Sequence, residues 1–129
     1  LTKWKVFVAK SNGTGKFGEC LTTPEVIAPF VAGTQTFISF GKFDSEGEAT
    51  ALSKYLKTKF ARCLLDICKV TPDNARKEVW RYVPLENFSS NSDIDWSKSI
   101  PEIDQQLYRK YGLSEEEINF IETNVKEMN

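Results

Sequence analysis

The stretch SEGEATALSKYLKTKFARCLLDICK, Ser45 to Lys69, decides how this chain folds. Ser45 followed three residues later by Glu48 is a reciprocal capping pair, in which each side chain covers a free amide at a helix start. From there Ala49, Leu52, Leu56, Phe60, Cys63, Leu64 and Ile67 recur at three- and four-residue spacing. That spacing gathers them on one apolar face about 100° wide. The pattern predicts one long helix over 46–69, with Lys54, Thr58, Arg62 and Lys69 on the opposite, polar face and Lys57 on a flank. Pro72 ends it, because a proline disfavours helical geometry in the residue before it.

Upstream of that helix the period changes from 3.6 to two. Lys3 and Lys5 alternate with Trp4, Val6 and Val8, the pattern of a half-buried strand. Three glycines with Asn12, Thr14 and Lys16 fill Ser11 to Gly18 and predict a mobile loop. Pro24 and Pro29 leave room only for short pieces around Val26 and Ile27, and Thr34 to Phe43 reads as a second strand ending near Gly41. Downstream, Val79 to Val83 alternates again until Pro84 stops it, predicting a third strand near an edge. Ser89 to Ser92 reads as a linker. Ile100 to Tyr111 predicts a helix with Pro101 in its first turn and Gly112 just past its end. Ser114 and Glu117 start another that runs to about Lys126. Ile103, Leu107 and Tyr108 against Ile118, Ile121 and Val125 suit a helical hairpin. No internal repeat appears. The expected fold is therefore α/β (α+β): a small mixed or antiparallel sheet packed by one long helix. Residues 1–88 form its core and residues 89–129 a helical-hairpin extension, together one compact unit.

At 129 residues, with 40% hydrophobic and 27% charged residues, the chain has the make-up of a single globular domain. It has no run long enough for a membrane span and no signal segment. It contains no histidine, which removes His-based triads and most zinc enzyme sites. Cys20, Cys63 and Cys68 are odd in number and lack paired spacing, which favours buried thiols in a reducing, cytoplasmic setting. The chain begins at Leu1 and its single methionine is Met128, so it reads as a domain cut from a longer protein. The charge is bipolar: residues 1–82 hold 13 Lys/Arg against 8 Asp/Glu, and residues 83–129 hold 4 against 10. One half can therefore face a polyanion while the other stays away from it.

Enzymatic motifs fail one by one. Gly13 to Gly18 has the G-x-G-x-x-G spacing, but Thr22, Thr23 and Pro24 follow where a helix should open onto a pyrophosphate. No Asp-x-Lys or Glu-x-Lys step is present for a restriction-type nuclease core, and no Pro-Pro step for an adenine methyltransferase pocket. The acidic residues read as solvated or capping groups, and Trp4, Trp80 and Trp96 as core or interface anchors.

Three segments carry a resemblance: Glu48-Ala49 through Tyr55 to Phe60, Val79-Trp80-Arg81-Tyr82-Val83-Pro84-Leu85, and Ile94-Asp95-Trp96 through Gln106 to Leu113. Over most of residues 30–122 the chain resembles the C-terminal part of bacterial restriction–modification proteins. These are adenine-specific DNA methyltransferases, some fused to a nuclease, and this part is similar to TaqI-like specificity domains. The resemblance implies a target-recognition role on duplex DNA. S-adenosylmethionine, and Mg for any nuclease, would belong to methyltransferase and nuclease domains elsewhere in the parent chain. The candidate DNA-contacting residues are Lys10, Asn12, Thr14, Lys16, Gln35, Lys54, Arg62, Lys69, Arg76, Lys77 and Arg81. Basic groups would hold phosphates, while Asn12, Thr14 and Gln35 read base edges. The rival reading is a protein-interaction module whose working surface is the acidic hairpin. A nucleotide-binding enzyme built on the glycine-rich loop is a third.

Overall fold

The computed structural model describes residues 3–9, 23–29, 37–68 and 83–128. Three strands, β1 (Trp4–Ala9), β2 (Glu25–Ile27) and β3 (Phe37–Phe43), precede four helices: α1 (Glu46–Lys57), α2 (Lys59–Cys68), α3 (Ile100–Lys110) and α4 (Glu115–Asn124). The sheet is antiparallel with order β2-β1-β3. Its central strand forms where predicted, but burial does not alternate along it, because Phe7 is buried together with its neighbours Val6 and Val8. Val6 and Val8 are fully buried and join the helical core, and α1 packs against all three strands.

β3 begins at Phe37 and continues past Gly41 to Phe43. It can do so because an extra residue is accommodated there: Val6 pairs with Phe40 but Trp4 with Phe43. Gly41 takes φ +76° at this bulge, and a Cβ on it would strike the Phe43 ring.

The single long helix predicted over 46–69 is two helices. Thr58 is extended (ψ 151°) and separates them. Its hydroxyl donates to the Tyr55 carbonyl (2.6 Å) and accepts from the Ala61 amide (3.1 Å), so one residue ends α1 and caps α2. Asp104, arriving from α3, accepts the remaining first-turn amides, Lys59 at Oδ2 (3.0 Å) and Phe60 at Oδ1 (2.9 Å). The break re-aims α2 so that it packs on α3 and α4 as well as α1. An apolar period carries no mark of such a break, since the partner that satisfies the freed amides lies 45 residues away.

The two C-terminal helices form as predicted, and both pack on α2. Ser99 with Glu102 and Ser114 with Glu117 are both reciprocal caps, and Pro101 lies in the first turn of α3. Gly112, at φ +62°, closes α3: its amide bonds Arg109 O and the Leu113 amide bonds Tyr108 O. Ile103, Leu107, Tyr108, Ile121 and Val125 join Leu52, Leu56, Phe60 and Leu65 in one core. Each such side chain contributes roughly 1.5–3 kcal/mol of burial free energy.

The residues on both sides of the Ser-rich stretch read as a linker are anchored. Phe88 packs with Phe43, Tyr55 and Trp96, the Trp96 indole donates to Asn87 O (2.9 Å), and the Tyr55 hydroxyl donates to Pro84 O (2.7 Å). Gln106 clamps Asp95 from both sides of its amide, at 2.7 and 3.1 Å. The strand predicted over 79–83 and the glycine-rich segment 13–18 lie outside the described residues.

Candidate functional site

Of the eleven residues assigned to DNA contact, only Lys54 and Arg62 lie among the described residues; Lys10, Asn12, Thr14, Lys16, Gln35, Lys69, Arg76, Lys77 and Arg81 lie outside them. Neither Lys54 nor Arg62 stands on a solvated face. Lys54 Nζ donates to Trp96 O (2.9 Å) and Lys98 O (3.2 Å), tying α1 to the segment before α3. Arg62 is 3% exposed, and its Nε donates to Lys57 O and Thr58 O, both at 3.2 Å. The physical reason is the break at Thr58. A guanidinium one turn into α2 is placed to take the Lys57 carbonyl at the end of α1, and it shares the Thr58 carbonyl with the Arg62 amide. Thr58, expected on the polar face, is fully buried for the same reason. Of the basic stripe expected along this helix, Arg62 is buried, Lys54 is part-buried and tied to backbone carbonyls, and Lys69 lies outside the described residues.

The sheet, in contrast, gathers two candidate segments at one end. Ala9 pairs with Phe37, and Phe7 with Glu25. The segment carrying Lys10, Asn12, Thr14 and Lys16 follows directly on Ala9, and the one carrying Gln35 leads directly into Phe37. Both therefore attach at adjacent positions at the same end of the sheet, a placement the sequence pattern alone did not give.

The buried polar groups of the helical layer are committed to structure. Burial pushes the Asp104 carboxyl up to about 6, against the pull of the Phe60 and Lys59 amides. Each of its oxygens accepts one of those amides, so the carboxyl serves as the cap of α2. Burial likewise pushes the Cys63 thiol up to about 11, which keeps it protonated and poorly nucleophilic. Burial also acts to raise Glu122, but the Tyr108 hydroxyl (2.6 Å) and the Lys59 ammonium (3.1 Å) outweigh it and hold its carboxyl below the usual range. Burial and the Glu122 bond raise the Tyr108 phenol. Glu86, whose side chain is fully enclosed, accepts from Lys110 Nζ (2.7 Å) and from the Tyr111 hydroxyl. Lys110 also reaches Asp93 (3.1 Å). These contacts raise the Lys110 ammonium above its usual range.

Two of the surface depressions differ sharply in their lining. The larger, about 920 Å³, runs between the start of α1 and residues 88–97, lined by Ser45, Glu46, Glu48, Ser89, Ser92, Asp93, Asp95 and Trp96. Its acidic walls repel phosphate. Hydrogen bonds from the Ser97 hydroxyl and amide hold Asp95 low and keep it ionised. The smaller, about 370 Å³, is apolar and lies between α2 and α4. It includes Phe120, which lies outside the Ile118–Ile121–Val125 face that the sequence analysis assigned to packing. Its position three residues after Glu117 and four after Glu116 was the available signal. Among the described residues no cluster of His, Cys, Asp and Glu suits a metal ion, and no helix is long and apolar enough to cross a membrane.

Comparisons with family models, with curated proteins and with solved structures each return no match, so the functional reading rests on the residues and the geometry above.

Proposed function

We propose that this chain is a target-recognition part of a bacterial restriction–modification protein: an adenine-specific DNA methyltransferase, possibly fused to an endonuclease. It binds duplex DNA in the cytoplasm and positions it for a catalytic domain elsewhere in the parent chain. S-adenosylmethionine, and Mg where a nuclease is present, serve those other domains. The observation that carries the reading is the Ala9–Phe37 pairing, which joins the segments bearing Lys10, Asn12, Thr14, Lys16 and Gln35 to one end of a rigid sheet. Groups attached side by side to a braced frame suit base-edge and phosphate contacts. Lys69, Arg76, Lys77 and Arg81 supply further phosphate contacts; Lys54 and Arg62 do not take part. The resemblance is consistent with this division of labour. Its matching residues Tyr55, Phe60, Trp96, Leu107 and Tyr108 are buried, so they build the support and leave reading to other positions.

Fluorescence anisotropy with labelled duplex DNA across a salt series tests this. Weak binding that falls steeply with salt is expected, with the salt slope shallower by about 1 for each phosphate contact removed by Lys10→Gln or Lys16→Gln. Absence of binding at low salt, or robust methylation or cleavage by the isolated chain, overturns the proposal. A second reading, a module that docks other subunits or domains of such an enzyme, is favoured by one observation: the part-exposed Phe120 beside the acidic first turn of α4.

A further inference from the structure

We infer that the open groove between α2 and α4 is a docking site for an amphipathic partner segment flanked by lysine or arginine, whose apolar side chain fills the space beside Phe120. This surface is separate from the sheet end assigned to DNA and does not depend on that assignment.

The groove is a place where burial is unfinished. Phe60, Cys63, Leu64, Leu113 and Ile121 form its floor and walls, and Phe120 stands 49% exposed along it. Of the residues of α4 only Ile121 is buried. A large aromatic at a groove margin loses water contact favourably when a second apolar group covers it, as at the centres of helix-binding grooves. The volume, about 370 Å³, suits a few side chains of such a segment.

Charge selects the occupant. Glu116 and Glu117 line the same groove, and Glu115 precedes them on the exposed first turn of α4. Among the described residues neither Glu115 nor Glu116 has an ion-pair partner. Acids in a first turn are favoured by the helix dipole, which explains their tolerance but leaves their field uncancelled at the groove. A segment carrying cations is drawn in and an acidic one is repelled. A second copy of this chain is disfavoured by the same field, because facing two such grooves brings six glutamates together.

The experiment uses the whole chain and a labelled 14-residue helical peptide with leucine and tryptophan anchors and flanking lysines. A matched peptide with glutamates in place of the lysines serves as the control. The lysine peptide is expected to bind with an affinity that falls as salt rises, and the glutamate peptide not to bind. Phe120→Asp and the pair Glu115→Lys with Glu116→Lys should each weaken binding at least tenfold while circular dichroism stays unchanged. Equal binding of both peptides, no binding of the lysine peptide, indifference to Phe120→Asp, or self-association abolished by Phe120→Asp overturns the inference. DNA affinity, read on the same Phe120→Asp protein, should not fall, so failure here is distinguishable from failure of the DNA reading.

Discussion

Asp104 on α3 and Phe60 on α2 are joined by a 2.9 Å hydrogen bond from the Phe60 amide to Oδ1, while Oδ2 takes the Lys59 amide at 3.0 Å. With the Thr58 hydroxyl on Ala61, this carboxylate satisfies the start of a helix that has no covalent reason to begin there. Replacing it by alanine strands two amides in a mostly buried place. Each costs about 1–3 kcal/mol, so Asp104→Ala should lower the unfolding free energy by about 2–5 kcal/mol in urea titration. No loss would mean that α2 does not need this cap.

The same residue gives a pH signature. Its carboxyl is raised from 3.8 to about 6 by burial, so the folded chain holds a proton that the unfolded chain has released between those values. Stability from Asp104 therefore increases as pH falls from about 6 towards 4, by the order of 2–3 kcal/mol, and is absent above about 6.5. Glu122, Glu102 and Glu117 act in the opposite sense, because their carboxyls are held low and their stabilisation is lost as acid protonates them. The stability difference between the wild type and Asp104→Asn should shift in favour of the wild type as pH drops from 7 to 4.5; a difference that does not change with pH would refute it.

Arg62 and Lys54 separate fold from function. Arg62→Ala removes two bonds to buried carbonyls, and a loss of about 2–4 kcal/mol is expected. Lys54→Gln should cost less, because its ammonium is only part-buried, and should leave DNA affinity within twofold. A tenfold drop in DNA affinity for a folded Lys54→Gln protein would restore the helical basic face.

Glu86 is an enclosed carboxylate with Lys110 and Tyr111 as donors. Lys110→Met should destabilise by about 2 kcal/mol, because it leaves that charge without its cation. Adding Glu86→Gln should then cost less than it does alone. Additive effects in the double-variant cycle would show that the two are not coupled.

Gly41→Ala forces a Cβ against the Phe43 ring in a backbone region that side chains avoid, and about 1–3 kcal/mol of destabilisation is expected by thermal unfolding.

Local rules carried much of this fold from the sequence. The Ser114 and Pro101 signals and Gly112 after α3 each act over a few residues and each appears where those residues stand, while Ser45 caps α1 in one direction only, accepting from the Glu48 amide. What local rules missed has tertiary partners. Thr58 breaks an unbroken apolar period because Asp104 arrives from α3, and Arg62 turns inward to the carbonyls at the break. Glu86 is enclosed because α3 delivers Lys110 and Tyr111 to it. A helical wheel sees polar residues at 54, 58 and 62 and places them outside; only the packing of α3 shows two of them buried. Of the candidate site, the reading groups were assigned by residue type, while the sheet end that brings their segments together follows from strand register.

The side-by-side seating of Ala9 and Phe37 also separates two kinds of change. Lengthening either attached segment twofold adds only about 0.6 kcal/mol of closure entropy and leaves strand register untouched. What such a chain contacts can thus diverge quickly while its helical underpinning stays fixed, a division that lets recognition drift without putting folding at risk.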